Sequence, residues 1–268
     1  MELNDLREYG NRIESCLRLK TFVLGIKLLK SKDDNISGVK RPTKDFGYHL
    51  SLCQALAITR RHGKAISMFK EDMWCFEPVI GLGFEKAPNY FLEGHNRYPL
   101  PGSSQTLEAG AKWAQSFPHF ELGKYKGIAF APLSEITFEP DLILLYCEPA
   151  QLTEILIAVN GIDGNDICSR LSGYAACVYS IVLPIKNNDF QVSVPCNGDR
   201  TKSMTQDDEF IFSFPVRKIE YLVKGLELRS KNGTNYNLGL PLKSTPPAEY
   251  ELRPTYKKIG KLMGMDWL

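Results

Sequence analysis

Residues 141–161 read Asp141-Leu-Ile-Leu-Leu-Tyr-Cys147, then Glu148, then Pro149-Ala-Gln-Leu-Thr-Glu-Ile-Leu-Ile-Ala-Val-Asn160 and Gly161. The first part is an apolar run of strand length, bounded by polar residues. The second reads as a helix over 149–160, closed by the glycine. A strand that passes straight into a helix points to an α/β domain. The rest of the chain continues that alternation.

Upstream, residues 127–132 and the run Thr21-Phe-Val-Leu-Gly-Ile-Lys-Leu-Leu29 read as strands, and Lys64–Phe69 alternates as a strand should. Helices are expected over 2–18, where Leu3, Leu6, Tyr9, Ile13 and Leu17 fall on one stripe, over 48–62 with Gly63 as its stop, and over 106–116. Downstream, 171–183 reads as a helix with Ser172 as its cap and Pro184 beyond its end. Residues 190–194 and 209–214 read as strands, with Phe210, Phe212 and Phe214 on one face. Pro215 then opens a helix whose core stripe is Val216, Ile219, Leu222, Val223 and Leu226. The fold class is therefore α/β, with α+β as the alternative: a mixed sheet with flanking helices. Residues 1–230 form one globular domain. Residues 231–268 form an extension with a Pro-rich linker at Ser244-Thr-Pro-Pro247 and a short helix near the end.

The chain has 268 residues, of which 43% are hydrophobic and 24% charged, so it is too apolar to be disordered and large enough for a substantial core. The net charge is +2, and the basic residues are dispersed, which argues against a nucleic-acid partner. The longest apolar runs, 128–133 and 142–147, are too short to span a bilayer, and the polar N-terminus has no secretory pattern. A cytoplasmic protein without membrane attachment is expected.

Seven cysteines, an odd number without a secretory signal, argue for free thiols or ligands rather than disulfides. Their placement suggests an internal repeat spanning about 20–80 and 140–200. In each half a strand leads to a helix holding a cysteine (Cys53, Cys177), then a second strand and a loop holding another (Cys75, Cys196). Such a pseudo-two-fold arrangement would bring four thiols to one centre. Iron–sulfur clusters are typically held by four thiolates. The close Cys-x-x-Cys pairs of zinc ribbons are absent, so ligands would come from four separate elements. As buried thiols, the same residues would simply act as small hydrophobes, and that is the expectation for Cys16, Cys147 and Cys168.

A second chemistry is a reactive thiol. His49 precedes Cys53 by four residues and would share a helical face with it, where an imidazolium lowers a thiol pKa. Arg200, just after Cys196, is a further assisting candidate. A third reading is a non-catalytic binding module, motivated by the aromatic- and proline-rich stretch 74–101 with Trp74, Tyr90 and Phe91. The run Asp207-Asp208-Glu209 reads as a solvated turn. Gly81-Leu-Gly83 lacks the third glycine of a dinucleotide fingerprint, and no P-loop, nucleophile elbow or zincin motif occurs.

Several stretches, in order, resemble domain-of-unknown-function family 169, the archaeal cysteine-rich proteins. These are Leu19–Lys27, Cys53-Gln-Ala-Leu-Ala57 with Arg60 and Gly63-Lys64, Glu71-Asp-Met-Trp-Cys75, Gly81-Leu-Gly83, Ser172-Gly173 with Cys177, Cys196-Asn-Gly-Asp-Arg200, and Asp208-Glu209. The resemblance runs from about residue 10 to 230. Thr21-Phe22 stands where the family often has a proline. The resemblance singles out Cys53, Cys75, Cys177 and Cys196 as family-pattern positions and supplies no reaction. It implies membership of a group found mostly in archaea and anaerobic or facultative bacteria. The resulting expectation is a metal- or iron–sulfur-binding protein with a redox or accessory role, its partner a small molecule or redox protein. The alternatives are a cysteine-nucleophile enzyme acting on a small molecule and a binding module.

Overall fold

The computed structural model describes residues 1–32, 34, 36–100, 103–231 and 254–264. The chain divides into two compact units, Met1–Tyr236 and Asn237–Leu268. In the first unit α1 (Leu3–Leu17) precedes β1 (Leu24–Leu29), and α2 (Leu52–His62) leads to β2 (Ile66–Phe69). Three helices follow, α3 (Phe76–Gly81), α4 (Asn89–Leu92) and α5 (Leu107–Gln115), before β3 (Gly127–Pro132). The second half runs β4 (Leu142–Cys147), α6 (Pro149–Asp163), α7 (Ala176–Asn187), β5 (Gln191–Ser193), α8 (Asn197–Lys202), β6 (Phe210–Pro215) and α9 (Ile219–Lys231). The second unit contains α10 (Pro254–Leu262). The linker expected at 244–247 lies outside the described residues.

The six strands form one open sheet in the order β2-β3-β1-β4-β6-β5. Every ladder is antiparallel, and parallel pairing among the described residues is confined to isolated bridges at Lys40–Ile66 and Leu50–Met73. The order reads the same from either edge when β1, β2 and β3 are exchanged for β4, β5 and β6. The two halves of the sheet thus share one connectivity about an axis between β1 and β4. The antiparallel pairing Leu24–Leu144, Gly25–Ile143 and Ile26–Leu142 lies at that axis.

Because side chains alternate along a strand, the sheet feeds two cores. Leu24, Ile26 and Leu28 join Ile128, Phe130, Leu142, Leu144 and Tyr146 on one face, beneath α2 and α7. Leu29, Ala129, Ala131, Ile143, Leu145, Phe212 and Phe214 point to the other, beneath α1, α6 and α9. Both faces of the strands are buried, which is why β3 and β4 read as continuous apolar runs. The helices cross closely where glycine permits. A Cβ on Gly225 of α9 would lie 2.4 Å from the Ala158 carbonyl oxygen of α6, and one on Gly81 of α3 would lie 2.3 Å from Val178 Cγ1 of α7.

Of the boundaries that differ from the sequence expectation, three have a clear local reason. The helix carrying Cys53 starts at Leu52, because the Ser51 hydroxyl accepts from the Gln54 N–H while the Gln54 side chain accepts from the Ser51 N–H. The helix over 149–160 passes through Gly161 and ends at Gly164, in the left-handed region. The helix carrying Cys177 begins at Ala176 and continues through Pro184. Its residues 176–184 are all buried, so packing outweighs the local signals of Ser172 and Pro184.

Candidate functional site

Four elements bring their cysteines to one cavity. Cys53 is the second residue of α2, and Cys177 is the second residue of α7, its counterpart in the other half of the sheet. Cys75 immediately precedes α3, and Cys196 immediately precedes α8. All four thiols line a cavity of about 660 Å³, together with Trp74, Glu77, Arg97, Tyr174 and Lys202. The small residues Gly173, Ala175 and Gly198 also line the wall and keep it open beside the sulfurs. The two helix cysteines and two loop cysteines expected of a repeat thus line one cavity.

Three of the four thiols have a polar neighbour. Cys75 Sγ donates to Glu77 Oε2 at 3.0 Å, and Cys196 Sγ donates to Asp199 Oδ2 at 3.1 Å. Cys53 Sγ and Ser51 Oγ are 3.1 Å apart. Burial raises the pKa of every one of these thiols. For Cys196, burial and the adjacent Asp199 push it up to about 12. Burial and Asp199 raise Cys53, while burial and Glu77 hold Cys75 well above the usual thiol range. Cys177 is raised by burial first, and then by Cys53, Asp199, Cys196 and Cys75. Without a cation among them the thiols are neutral at pH 7. Thiolates here need a positive centre to hold them.

Beneath the thiols lies a buried charged network. Arg60 on α2 is fully buried and donates from Nη1 and Nη2 to Glu209 Oε1 and Oε2, at 2.6 and 3.0 Å. Its guanidinium stacks over Tyr146, 3.9 Å from the ring centre. Tyr146 Oη in turn donates to Asp199 Oδ1 at 3.4 Å, and Asp199 accepts from the Cys196 N–H and Sγ. The chain of contacts ties α2, β4, α8 and the start of β6 together behind the cavity. Glu209 is therefore a buried ion-pair partner, unlike the solvated turn expected of its acidic run.

The remaining sequence candidates sit elsewhere. His49 is exposed in the turn before α2, so it shares no helical face with Cys53. Arg200 donates to the Gln206 carbonyl at 2.8 Å and pairs with Asp207 at 3.4 Å on the surface. Cys147 packs on the opposite face of the sheet, and Cys16 lies against the same core. Cys168 is exposed, contrary to the core position expected for it. In the aromatic stretch, Phe91 is core, Tyr90 is exposed and stacked on His95, and half-exposed Trp74 borders the cavity with its Nε1 donating to Gln54 Oε1 at 2.9 Å. Glu77, Arg97 and Tyr174 were not legible as site residues. The only traces were the acid placed two residues after Cys75 and the lone arginine in an aromatic loop.

Among the described residues, no group of three or more His, Cys, Asp or Glu side chains is placed to hold a metal ion. Nor, among them, is any helix long and apolar enough to cross a membrane.

The geometry can be set beside known sequences. The profile of the family described as domain of unknown function 169, uncharacterised ArCR, matches residues 12–225, and the chain belongs to that family. It is similar to a protein of Methanocaldococcus jannaschii named "Uncharacterized protein MJ0308", with 22% identity over 228 residues, covering 85% of this chain and 96% of that protein. No solved structure matches the chain.

Proposed function

We propose that the cavity holds an iron–sulfur cluster on Cys53, Cys75, Cys177 and Cys196, and that the protein has a redox or accessory role. The observation that carries this reading is the convergence of four cysteines, from four separate elements, on one cavity. The donor set suits the group in kind and number, since four thiolates are the usual ligands of such clusters. A single tetrahedral ion needs its sulfurs about 2.3 Å from one point, and the side chains as they stand offer no such set. A cluster of several irons takes its ligands from a wider perimeter, which a cavity of about 660 Å³ accommodates. When bound, the cluster would supply one-electron chemistry. The chain's own part is to supply the sulfurs and bury them; Cys75 and Cys196 would lose on ligation the protons they now donate to Glu77 and Asp199, so those carboxylates would have to take up the protons or turn away.

The nucleophile alternative draws less from the geometry, because burial raises the Cys53 pKa and neither His49 nor Arg200 lines the cavity. Anaerobic purification tests the proposal. Brown protein containing iron and acid-labile sulfide is expected. Colourless, metal-free protein with all thiols titratable would defeat it.

A further inference from the structure

The cavity wall carries a cation whose hydrogen bonds are unmet. Arg97 is 8% exposed and lines the same cavity as the four thiols. Its guanidinium sits in the corner between two rings that meet edge to face, 4.0 Å from the centre of Trp113 and 3.7 Å from that of Tyr174. Its Nε and Nη2 are buried and have no hydrogen-bond partner. The nearest carboxylate, Glu77 Oε1, stands 3.6 Å from Nη2, too far for a hydrogen bond. A buried donor without an acceptor costs about 1–3 kcal/mol, more when charged, and such a group in a native fold calls for an explanation such as an ion or ligand. Nε and one Nη form a planar fork that matches a carboxylate in two parallel hydrogen bonds. Both donors are covered as the side chains stand, so a ligand reaches them only once a neighbour such as Glu77 or Tyr174 turns aside.

We propose that this cavity is a ligand pocket for a small monocarboxylate with an apolar or aromatic body, its carboxylate paired with Arg97 beside the four thiols. The fork selects the class: Nε and one Nη match a planar carboxylate in two parallel hydrogen bonds, and the other charges on the wall, Lys202 and Glu77, are one of each sign. Trp74, Pro78 and Tyr174 offer the rest of the ligand an apolar surface. The volume falls within the usual range for small-molecule sites, about 300–1,000 Å³.

This inference rests on the cavity being the functional site, and it does not require the cluster. Its test is calorimetric titration of the full chain, purified anaerobically, with benzoate, acetate and inorganic phosphate, before and after iron removal by a chelator. Saturable binding of benzoate, one per chain, is expected, with phosphate weaker. Arg97→Gln should weaken benzoate about tenfold to a hundredfold, the loss of a paired charged hydrogen bond, while far-ultraviolet circular dichroism is kept. Arg97→Lys, which keeps the cation and loses the fork, should recover part of the affinity. It also serves as the decisive variant if Arg97→Gln does not fold. Absence of saturable benzoate binding, equal affinity in the decisive variant, or tighter binding of phosphate would each overturn the proposal. Protein that purifies anaerobically without iron and still binds benzoate through Arg97 would defeat the cluster alone, whereas iron-loaded protein without benzoate binding would defeat this inference alone.

Discussion

Removing Arg60 should be among the most damaging single changes in the chain. Its side chain is wholly buried, and it makes two charged hydrogen bonds to Glu209 and a close stack on Tyr146. Arg60→Met keeps much of the volume but leaves Glu209, itself only 10% exposed in its side chain, without its main cation. Arg61 Nη2, 4.0 Å away, is too distant to replace it. Breaking one partner of a buried pair costs about 3–5 kcal/mol, because the surviving charge is left uncompensated. For a unit of this size each kcal/mol shifts Tm by about 2–4 °C, so a fall of roughly 6–20 °C is expected. The double variant Arg60→Met with Glu209→Gln should recover a large part of that loss, since no unpaired charge then remains. Urea denaturation of the wild type, the two single variants and the double variant closes the cycle. A loss below about 1 kcal/mol in Arg60→Met, or strictly additive effects, would refute the reasoning.

The same pair makes stability depend on acid. Burial alone would raise the Glu209 carboxyl, but the Arg60 hydrogen bonds, the Gln206 N–H and the charges of Arg60 and Arg61 outweigh it and hold the pKa below its ordinary 4.5. Its contribution is therefore present above about pH 4.5 and is lost as pH falls through the lowered value. Glu209→Gln should flatten that part of the acid limb in a Tm-versus-pH series, and an unchanged limb would count against the pairing. Ser51→Ala removes the cap of the helix that carries Cys53 and should cost about 1 kcal/mol in urea titration. A neutral result would mean the capping contacts contribute nothing. Gly81→Ala would drive a methyl into Val178, where β-branching limits relief, and should cost about 1–3 kcal/mol and move Cys75 relative to Cys177. Unchanged stability together with unchanged iron content would show that α3 and α7 do not need their close approach.

Local sequence signals located the strands well because most are buried on both faces. Leu142–Cys147 and Gly127–Pro132 are apolar along their whole length, so nothing competes with the strand reading. Helix ends were harder. Ser172 and Pro184 are ordinary boundary signals, yet the buried helix from Ala176 passes through Pro184 because its surroundings reward packing. The antiparallel sense of the sheet was not legible, since chain order does not say which strands become neighbours. The four site cysteines were legible through their spacing and family pattern. Arg97 and Glu77 were not, because Arg97 takes its meaning from Trp113 and Tyr174, and Glu77 in part from Arg97, residues that only the fold brings near. His49 misled for a related reason: a four-residue spacing has meaning only inside a helix, and Ser51 starts the helix after it.

The proposed site uses four of the seven cysteines for one cluster and leaves three outside it. The most direct measurement is iron and acid-labile sulfide per chain in seven single Cys→Ser variants purified anaerobically beside the wild type. Bound iron and sulfide are expected in the wild type, with a marked loss in the Cys53, Cys75, Cys177 and Cys196 variants and wild-type content in those at Cys16, Cys147 and Cys168. A metal-free wild type, or losses that do not follow that division, would contradict the proposed site.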